Sequence, residues 1–232
     1  MNKTRAYPFC EGLTVCLDFE HPQAWLALHP IETLLRELNL NANWLPLRVP
    51  PLQSPPELGD KSTRGELHRH FRAVYQAQDI QRYAHARGLK VDRMYQSAFR
   101  DSGGEPGGNP AAAPAALGLL WCRLRKPESQ LSYLHRAFHR YWQAEDDIQT
   151  MESISDLLSE SGVPLDGIED YCVDSGPKEL EHLQNSLKKA GIFKVPALVL
   201  QQNNTEPEVF FGREHLPMLR WQLSGKMGHP PI

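Results

Sequence analysis

The sequence predicts an α/β protein in which a long helical segment interrupts a small sheet. Three observations support this fold class: a strand–helix–strand unit near the start of the chain, an almost wholly helical stretch over 63–187, and a strand–turn–strand–helix unit at its end. We therefore expect an α/β unit formed by 12–60 together with 191–232, and an inserted all-helical unit over 61–190.

The first unit begins with a strand over 14–19, where β-branched and apolar residues cluster. A helix follows, with Pro22 in its first turn and apolar residues at helical spacing over 25–38. Pro30 lies inside this spacing, so we expect it to kink the helix without ending it. A second strand over 43–47 completes a β-α-β unit, whose strands are expected to run parallel with a right-handed crossover.

Apolar spacing and helix-ending residues predict four separate helices in the inserted segment. Two of them carry apolar residues at helical spacing, over 71–83 and over 131–142. A third begins at Met151 and ends before a Gly-Val-Pro sequence. The fourth runs over 177–190 and is followed by Gly191, which suits a helix C-cap.

The last unit begins after Gly191, where the sequence becomes typical of strands. Val195 and Pro196 open an apolar strand, a polar turn occupies 202–207, and a second strand occupies 208–211. A helix over 214–223 closes the unit.

Composition and charge exclude several classes of function. The chain has 232 residues, enough to bury a core without disulfides or metal ions. Its formal net charge is −3 and its charged residues are mixed along the sequence, which disfavours nucleic acid as a partner. No apolar run of about 7–15 residues follows 1–10, and the longest apolar stretch, 111–122, is shorter than the roughly 20 residues of a membrane span. We therefore expect a cytoplasmic protein without a membrane segment.

The cysteines do not form a recognisable metal or redox motif. Cys10, Cys16, Cys122 and Cys172 are scattered, and no CxxC pair occurs. The spacing supports neither a zinc ribbon nor a dithiol centre, and it fits free thiols in a reducing compartment. Cys16 lies on a predicted strand and is expected to be a buried, small apolar residue.

Two groups of histidines are interpreted as surface residues. His135 and His139 are four residues apart on a predicted helix, a spacing that can bind a metal ion, but the sequence offers no third ligand. The basic stretch 68–70 is likewise expected to lie in solvent. We therefore predict no metal cofactor.

The order of elements and four short segments resemble the DsbA-type thioredoxin-fold family. The segment 17–28 (LDFEHPQAWLAL) is similar to the first strand and active-site helix of kappa-class glutathione transferases and 2-hydroxychromene-2-carboxylate isomerases. The segment 141–148 (YWQAEDDI) resembles their insertion helix, 191–196 (GIFKVP) their G-x-F-x-V-P, and 210–216 (FFGREHL) their F-x-G-x-D-R-L. The resemblance implies a thioredoxin fold with an inserted all-helical domain.

The resemblance also implies a site where the start of the first helix faces the Val-Pro turn. Redox members carry Cys-Pro-x-Cys where this chain has His21-Pro22-Gln23-Ala24, so both sulfurs are missing and disulfide oxidoreductase activity is disfavoured. Glutathione-dependent members place at the position of His21 a serine that hydrogen-bonds the glutathione sulfur. A helix N-terminus keeps an imidazole neutral, so His21 can donate to a thiolate or act as a base. The alternative is that His21 only caps the helix.

Two further segments would complete the site. In resembling proteins the proline equivalent to Pro196 is cis, which leaves the backbone of the preceding residue, here Val195, to pair with glutathione. The alternative is a turn that only shapes the fold. Where those proteins show Gly-Ser-Asp at the γ-glutamyl end, this chain has Gly212, Arg213 and Glu214. Glu214 either replaces the aspartate with a displaced carboxylate or simply favours a helix start, and Arg213 crowds the position.

These expectations lead to two alternative functions. The first is a glutathione-assisted isomerase or transferase of small aromatic electrophiles, with His21 as the catalytic residue and glutathione held by Val195, Pro196, Arg213 and Glu214. Its substrate pocket would be lined by Pro22, Gln23 and Trp25. The second is a non-catalytic thioredoxin-fold binding protein. Family members often dimerise, so a homodimer is an open alternative to a monomer.

Overall fold

The structure, a computed structural model, describes residue 9 and the ranges 11–59, 61–95, 113–202 and 206–231. Its sheet has four strands in the order β2-β1-β3-β4. Their bounds are β1 Gly12–Leu17, β2 Ala42–Pro46, β3 Ala197–Gln201 and β4 Glu208–Phe211. β1 runs parallel to β2 and antiparallel to β3, and β3 runs antiparallel to β4. In the register, Val15 of β1 lies between Trp44 and Leu198.

Eight α-helices accompany this sheet in the described ranges. They are α1 Pro22–Glu37, α2 Arg64–Ala86, α3 Pro114–Arg125, α4 Gln130–Trp142, α5 Met151–Glu160, α6 Ile168–Val173, α7 Ser175–Lys189 and α8 Leu216–Leu223. Helices α2 to α7 lie between β2 and β3 in the chain, which confirms the predicted α/β class with a helical insertion. No helix in the described ranges is both long and apolar enough to cross a bilayer.

The first strand begins and ends two residues earlier than the sequence predicts. Asp18, expected at the end of the strand, turns the chain instead: its carboxylate accepts hydrogen bonds from the main-chain N–H of Glu20 at 3.1 Å and of Val49 at 2.9 Å. The helix α1 that follows continues through Pro30. At the other end of the chain, a short 3₁₀ helix, Arg213–His215, replaces the predicted first turn of α8.

The helical insertion packs directly on the sheet unit through α4. The largest fully buried side chains include Trp142, Tyr133, Tyr141 and Phe138, all on this helix. Trp142 Nε1 donates to the carbonyl of Phe19 at 2.9 Å, and two rings of the sheet unit, Phe19 and Trp25, pack on Phe138. The core is therefore continuous across the two parts of the chain.

The long helix α2 buries only a narrow face. Thr63 and Glu66 form a capping box at its start, and its buried residues are Ala77, Ile80 and Ala84. Three aromatic side chains of the predicted apolar face, at positions 71, 75 and 83, are exposed. The first half of α2 thus stands away from the core, beside the start of α1.

Candidate ligand-binding cleft

A cleft of about 530 Å³ lies where the start of α1 meets the segment that leads into β3. Helix α2 of the insertion and the proline-rich segment 49–56 form its other walls. Of the site residues predicted from the sequence, the structure brings His21, Gln23 and Val195 together on this surface. We call this space the cleft.

His21 caps α1 and also lines the cleft. Its Nδ1 accepts a hydrogen bond from the main-chain N–H of Gln23 at 3.3 Å. Because Nδ1 must act as an acceptor in this contact, the neutral ring carries its proton on Nε2. The positive end of the α1 dipole lies at the same place and favours an anion in the cleft. The predicted capping role of His21 is therefore confirmed, and in the neutral ring the Nε2–H is the donor group.

The turn before β3 presents main-chain groups to the cleft. The Val195-Pro196 peptide bond is cis, and the carbonyl of Pro196 accepts from the N–H of Gly212 at 2.9 Å. Among the described residues, the main-chain N–H and C=O of Val195 have no hydrogen-bond partner. Both side chains of the turn are buried, so Val195 faces the cleft with its backbone. An extended peptide is the kind of ligand that satisfies such groups.

Three cations line the cleft, and one of them, Arg69, interacts electrostatically with Glu66 of the same helix. Arg69 and Arg72 project from α2, and Lys194 precedes the cis turn. No Asp or Glu belongs to the lining, and among the described residues no carboxylate lies within 4.0 Å of these three cations. The cleft is therefore electropositive and suits a ligand with one or more carboxylates.

An exposed aromatic ring stands at one side of the cleft. Phe193 is 59% exposed, and its ring packs against Phe211 with centroids 5.1 Å apart. Lys194 Nζ lies 5.6 Å from the centroid of the Phe193 ring. A flat apolar surface thus adjoins both the cations and the cis turn, and it can stack on an aromatic ligand.

Arg213 and Glu214 do not line the cleft. Arg213 Nη2 pairs with Asp79 Oδ2 of α2 at 2.6 Å, Nη1 donates to Gln23 Oε1, and the guanidinium lies 4.0 Å from the centroid of the Tyr83 ring. Glu214 is exposed in the short 3₁₀ helix, and its carboxylate folds back over Gly212. Arg213 reaches the candidate site only through Gln23.

Trp25 and Pro22 also lie away from the cleft. Pro22 is buried in the first turn of α1. Trp25 stacks on Phe138 and borders a second cleft of about 500 Å³, together with His135 and His139. His135 Nε2 lies 3.0 Å from Glu32 Oε2, and no group of three or more metal-binding side chains occurs in the part of the chain that the structure describes.

Comparison with known proteins identifies the architecture. No protein-family model and no curated protein matches the sequence. Among solved structures, a 2-hydroxychromene-2-carboxylate isomerase aligns with a TM-score of 0.60 and 14% identity, over 92% of this chain and 94% of that chain. The chain has a DsbA-type thioredoxin fold.

A second solved protein supports this assignment. DsbM, a cytosolic disulfide reductase from Pseudomonas aeruginosa, aligns with a TM-score of 0.58 and 15% identity, over 93% of this chain and 98% of that chain. DsbM with glutathione aligns with a TM-score of 0.57 and 11% identity over the same shares of both chains. Similarities at this level of identity establish the DsbA-type thioredoxin fold.

The cysteines of this thioredoxin fold are placed as inert thiols. Cys16 lies on β1 and Cys122 on α3, both fully buried, and burial raises the pKa of each thiol from 9.0 to about 12. Cys172 on α6 is half-buried, and burial raises its pKa to about 11. None of the three lines the cleft, and Cys10 lies outside the described residues.

We expect the three described thiols to resist alkylation. With a pKa of about 12, Cys16 and Cys122 have roughly a thousandth of the thiolate of an ordinary cysteine, and Cys172, with a pKa of about 11, has roughly a hundredth; the thiolate is the reactive form. Labelling with iodoacetamide near pH 8, followed residue by residue by mass spectrometry, should be at least about 100-fold slower for Cys16 and Cys122 than in the urea-unfolded chain. Fast labelling of Cys16 in the native protein would show that it is an accessible nucleophile.

The residues that the sequence did not single out are the cations and the ring. Arg69 belongs to the stretch 68–70, which was predicted to lie in solvent. Arg72 follows Arg69 by three residues, almost one turn of the helix. Phe193 and Lys194 lie inside the G-x-F-x-V-P segment, in which a binding role was predicted only for Val195 and Pro196. The signal available was the clustering of basic residues on one side of α2, but their convergence on the cis turn is a property of the fold.

Proposed function

We propose that the protein is a glutathione-assisted isomerase or transferase of small aromatic electrophiles and that the cleft is its active site. The observation that carries this proposal is the main-chain N–H and C=O of Val195, unpaired among the described residues, beside Arg72 and Lys194, which have no described carboxylate within 4.0 Å. Glutathione is a short extended peptide with two carboxylates and a thiol, so it matches both features. We place this activity in the cytoplasm.

The peptide part of glutathione would bind by main-chain pairing. Its central amide groups would exchange hydrogen bonds with the N–H and C=O of Val195, as an added strand does at a sheet edge. Its carboxylates would then meet Arg72 and Lys194, in charge-assisted bonds that are about twice as strong as neutral ones. Arg213 and Glu214 lie away from the cleft and do not contact glutathione in this pose.

The thiol would lie at the start of α1. There the helix dipole and the Nε2–H of His21 would stabilise the thiolate form of the ligand. In an isomerase, the thiolate adds to a conjugated double bond, the carbon–carbon bond rotates, and elimination restores both the double bond and the thiolate. In a transferase, the carbon–sulfur bond persists, and the product forms when the adduct takes up a proton or expels a leaving group.

Phe193 would hold the aromatic substrate. Its exposed ring is adjacent to the cis turn, and Lys194 Nζ lies over the ring 5.6 Å from its centroid, so the pair suits a flat substrate that bears a negative group. The fold shared with 2-hydroxychromene-2-carboxylate isomerase, whose name describes an aromatic carboxylate, supports this choice of substrate class. Trp25, predicted for this role, is replaced in the proposal by Phe193.

A non-catalytic binding protein is the second candidate. It is favoured by the hydrogen bond through which His21 Nδ1 caps α1, because capping alone explains a histidine at this position and no catalytic role is required. In this alternative the cleft still binds an anionic peptide, but no bond is made or broken. The two functions therefore differ in whether His21 matters for a thiol ligand.

Calorimetric titration of glutathione and S-methylglutathione into the wild type and His21→Ala tests the proposal. Loss of a hydrogen bond to a charged sulfur costs about 1.5–3 kcal/mol, so His21→Ala should weaken glutathione binding by roughly 10- to 100-fold. S-methylglutathione has no thiolate, so its affinity should change much less. His21→Asn, which keeps a side-chain cap for α1, controls for the loss of the cap.

Two outcomes of this titration would change the conclusion. If millimolar glutathione does not bind to the wild type, the glutathione form of the proposal is wrong. If both ligands bind and His21→Ala weakens neither, the cleft is a binding site and the second candidate function takes the place of the first.

A further inference from the structure

Arg213 connects three parts of the molecule beside the cleft. It lies two residues after the end of β4, and its side chain is only 12% exposed. Through its two terminal nitrogens it bonds Gln23 at the second position of α1 and Asp79 on α2. The face of the guanidinium lies on Tyr83, also on α2. The arginine is thus held by contacts with α1 and α2, and its ion-pair partner Asp79 also pairs with Arg82 at 3.4 Å.

This arrangement determines which way the Gln23 amide points. A guanidinium has only donors, so the atom of Gln23 that faces Arg213 must be the carbonyl oxygen Oε1. The amide nitrogen Nε2 then points to the other side. Among the described residues Nε2 has no hydrogen-bond partner, it is not one of the enclosed polar atoms, and Gln23 lines the cleft. Without the contact to Arg213, the glutamine side chain could turn either Oε1 or Nε2 towards the cleft.

We propose that Gln23 is an anion-binding residue of the cleft, whose Nε2 donates to a negatively charged group of the ligand. Arg213, held by Asp79, is the positioning residue that sets this polarity. The inference rests on the proposed function in that it assigns a further contact to the same site. It also gives Arg213 a role in ligand binding although Arg213 does not touch the cleft.

The variant Gln23→Glu separates the donor from the structural contact. A carboxylate at this position still accepts from Arg213, now as an ion pair, so the link from α1 to α2 is retained. It has no N–H, so the donor to the ligand is lost. The added negative charge also repels anions, and Gln76→Glu controls for this effect because Gln76 lines the same cleft and does not contact Arg213.

We expect Gln23→Glu to weaken glutathione binding at least about tenfold more than Gln76→Glu does, with no decrease in the melting temperature. A merely structural role for Gln23 predicts equal affinities for the two variants, and that result would overturn the inference. Reduced melting temperature together with reduced binding would show that the Arg213 contact, and not the donor, was lost, which also contradicts it.

A second measurement keeps this inference separate from the proposed function. The side-chain amide resonance of Gln23, assigned by its absence in Gln23→Glu, is followed by NMR while inorganic phosphate is added. We expect a saturable shift in the wild type and a smaller one in Arg213→Met, where the amide orientation is no longer fixed. If glutathione fails to bind, the proposed function fails in that form, and this titration alone decides whether Gln23 is an anion donor: no shift overturns the inference.

Discussion

Replacing Phe138 by alanine is expected to destabilise the protein by about 3–5 kcal/mol. Phe138 is 0% exposed, and its ring centroid lies 5.6 Å from that of Trp25, in a stacked arrangement, and 5.3 Å from that of Phe19. Truncation leaves a cavity between α4 and the start of the α/β unit, where the structure cannot collapse without moving a helix. Urea unfolding monitored by circular dichroism measures the loss.

The matched control is Phe71→Ala. It makes the same chemical change on α2, where the ring is 62% exposed, so the free energy of unfolding should change by no more than about 0.5 kcal/mol. Similar losses for the two variants would contradict the packing of α4 on Trp25. Two separate unfolding transitions in Phe138→Ala would show that this ring is what makes the two parts of the chain unfold together.

The order of strands and helices could be predicted because short stretches of the sequence indicate each element. The β-branched residues of β1, the Val-Pro before β3 and Gly191 at the end of α7 each signal an element from its own residues. The sequence could not place the end of β1, because the turn at Asp18 depends on a hydrogen bond to Val49, far along the chain. Local sequence does not contain that partner.

Two helices illustrate where periodicity fails. Helix α3 buries eight of its residues, Ala115 to Cys122 without a break, so it has no polar face and no helical period to detect. Helix α2 shows the opposite case. Its large apolar residues suggest a buried face, yet Phe71 and Tyr75 lie in solvent and small alanines pack on the core. Both cases follow from packing partners that the sequence pattern does not reveal.

The sequence predicted only those residues of the candidate site that belong to a recognisable local motif. His21 and Val195 follow from the helix start and the Val-Pro, and the structure places both on the cleft. Trp25 follows His21 by one helical turn, but α4 covers it with Phe138 and removes it from the site. The cations of the cleft come from α2 and the segment before β3, and only the fold brings them together.

Reversing two of these charges is expected to have the largest effect on ligand binding. In Arg72→Glu combined with Lys194→Glu, attraction for the carboxylates of glutathione becomes repulsion. Both side chains are exposed and partly screened, so we expect a loss of affinity on the order of 100-fold at low ionic strength. Calorimetric titration at several salt concentrations measures this loss, which should shrink at about 1 M salt, where the Debye length is about 3 Å.

The control for net charge is Lys178→Glu combined with Lys189→Glu on α7. It changes the charge of the protein by the same amount, but neither lysine lines the cleft. If the effect arises from the local field of the cleft, this control should change glutathione affinity by less than about threefold, since charges beyond a Debye length are largely screened. Equal losses in the two double variants would mean that the total charge governs binding, and the assignment of the carboxylates to Arg72 and Lys194 would be wrong.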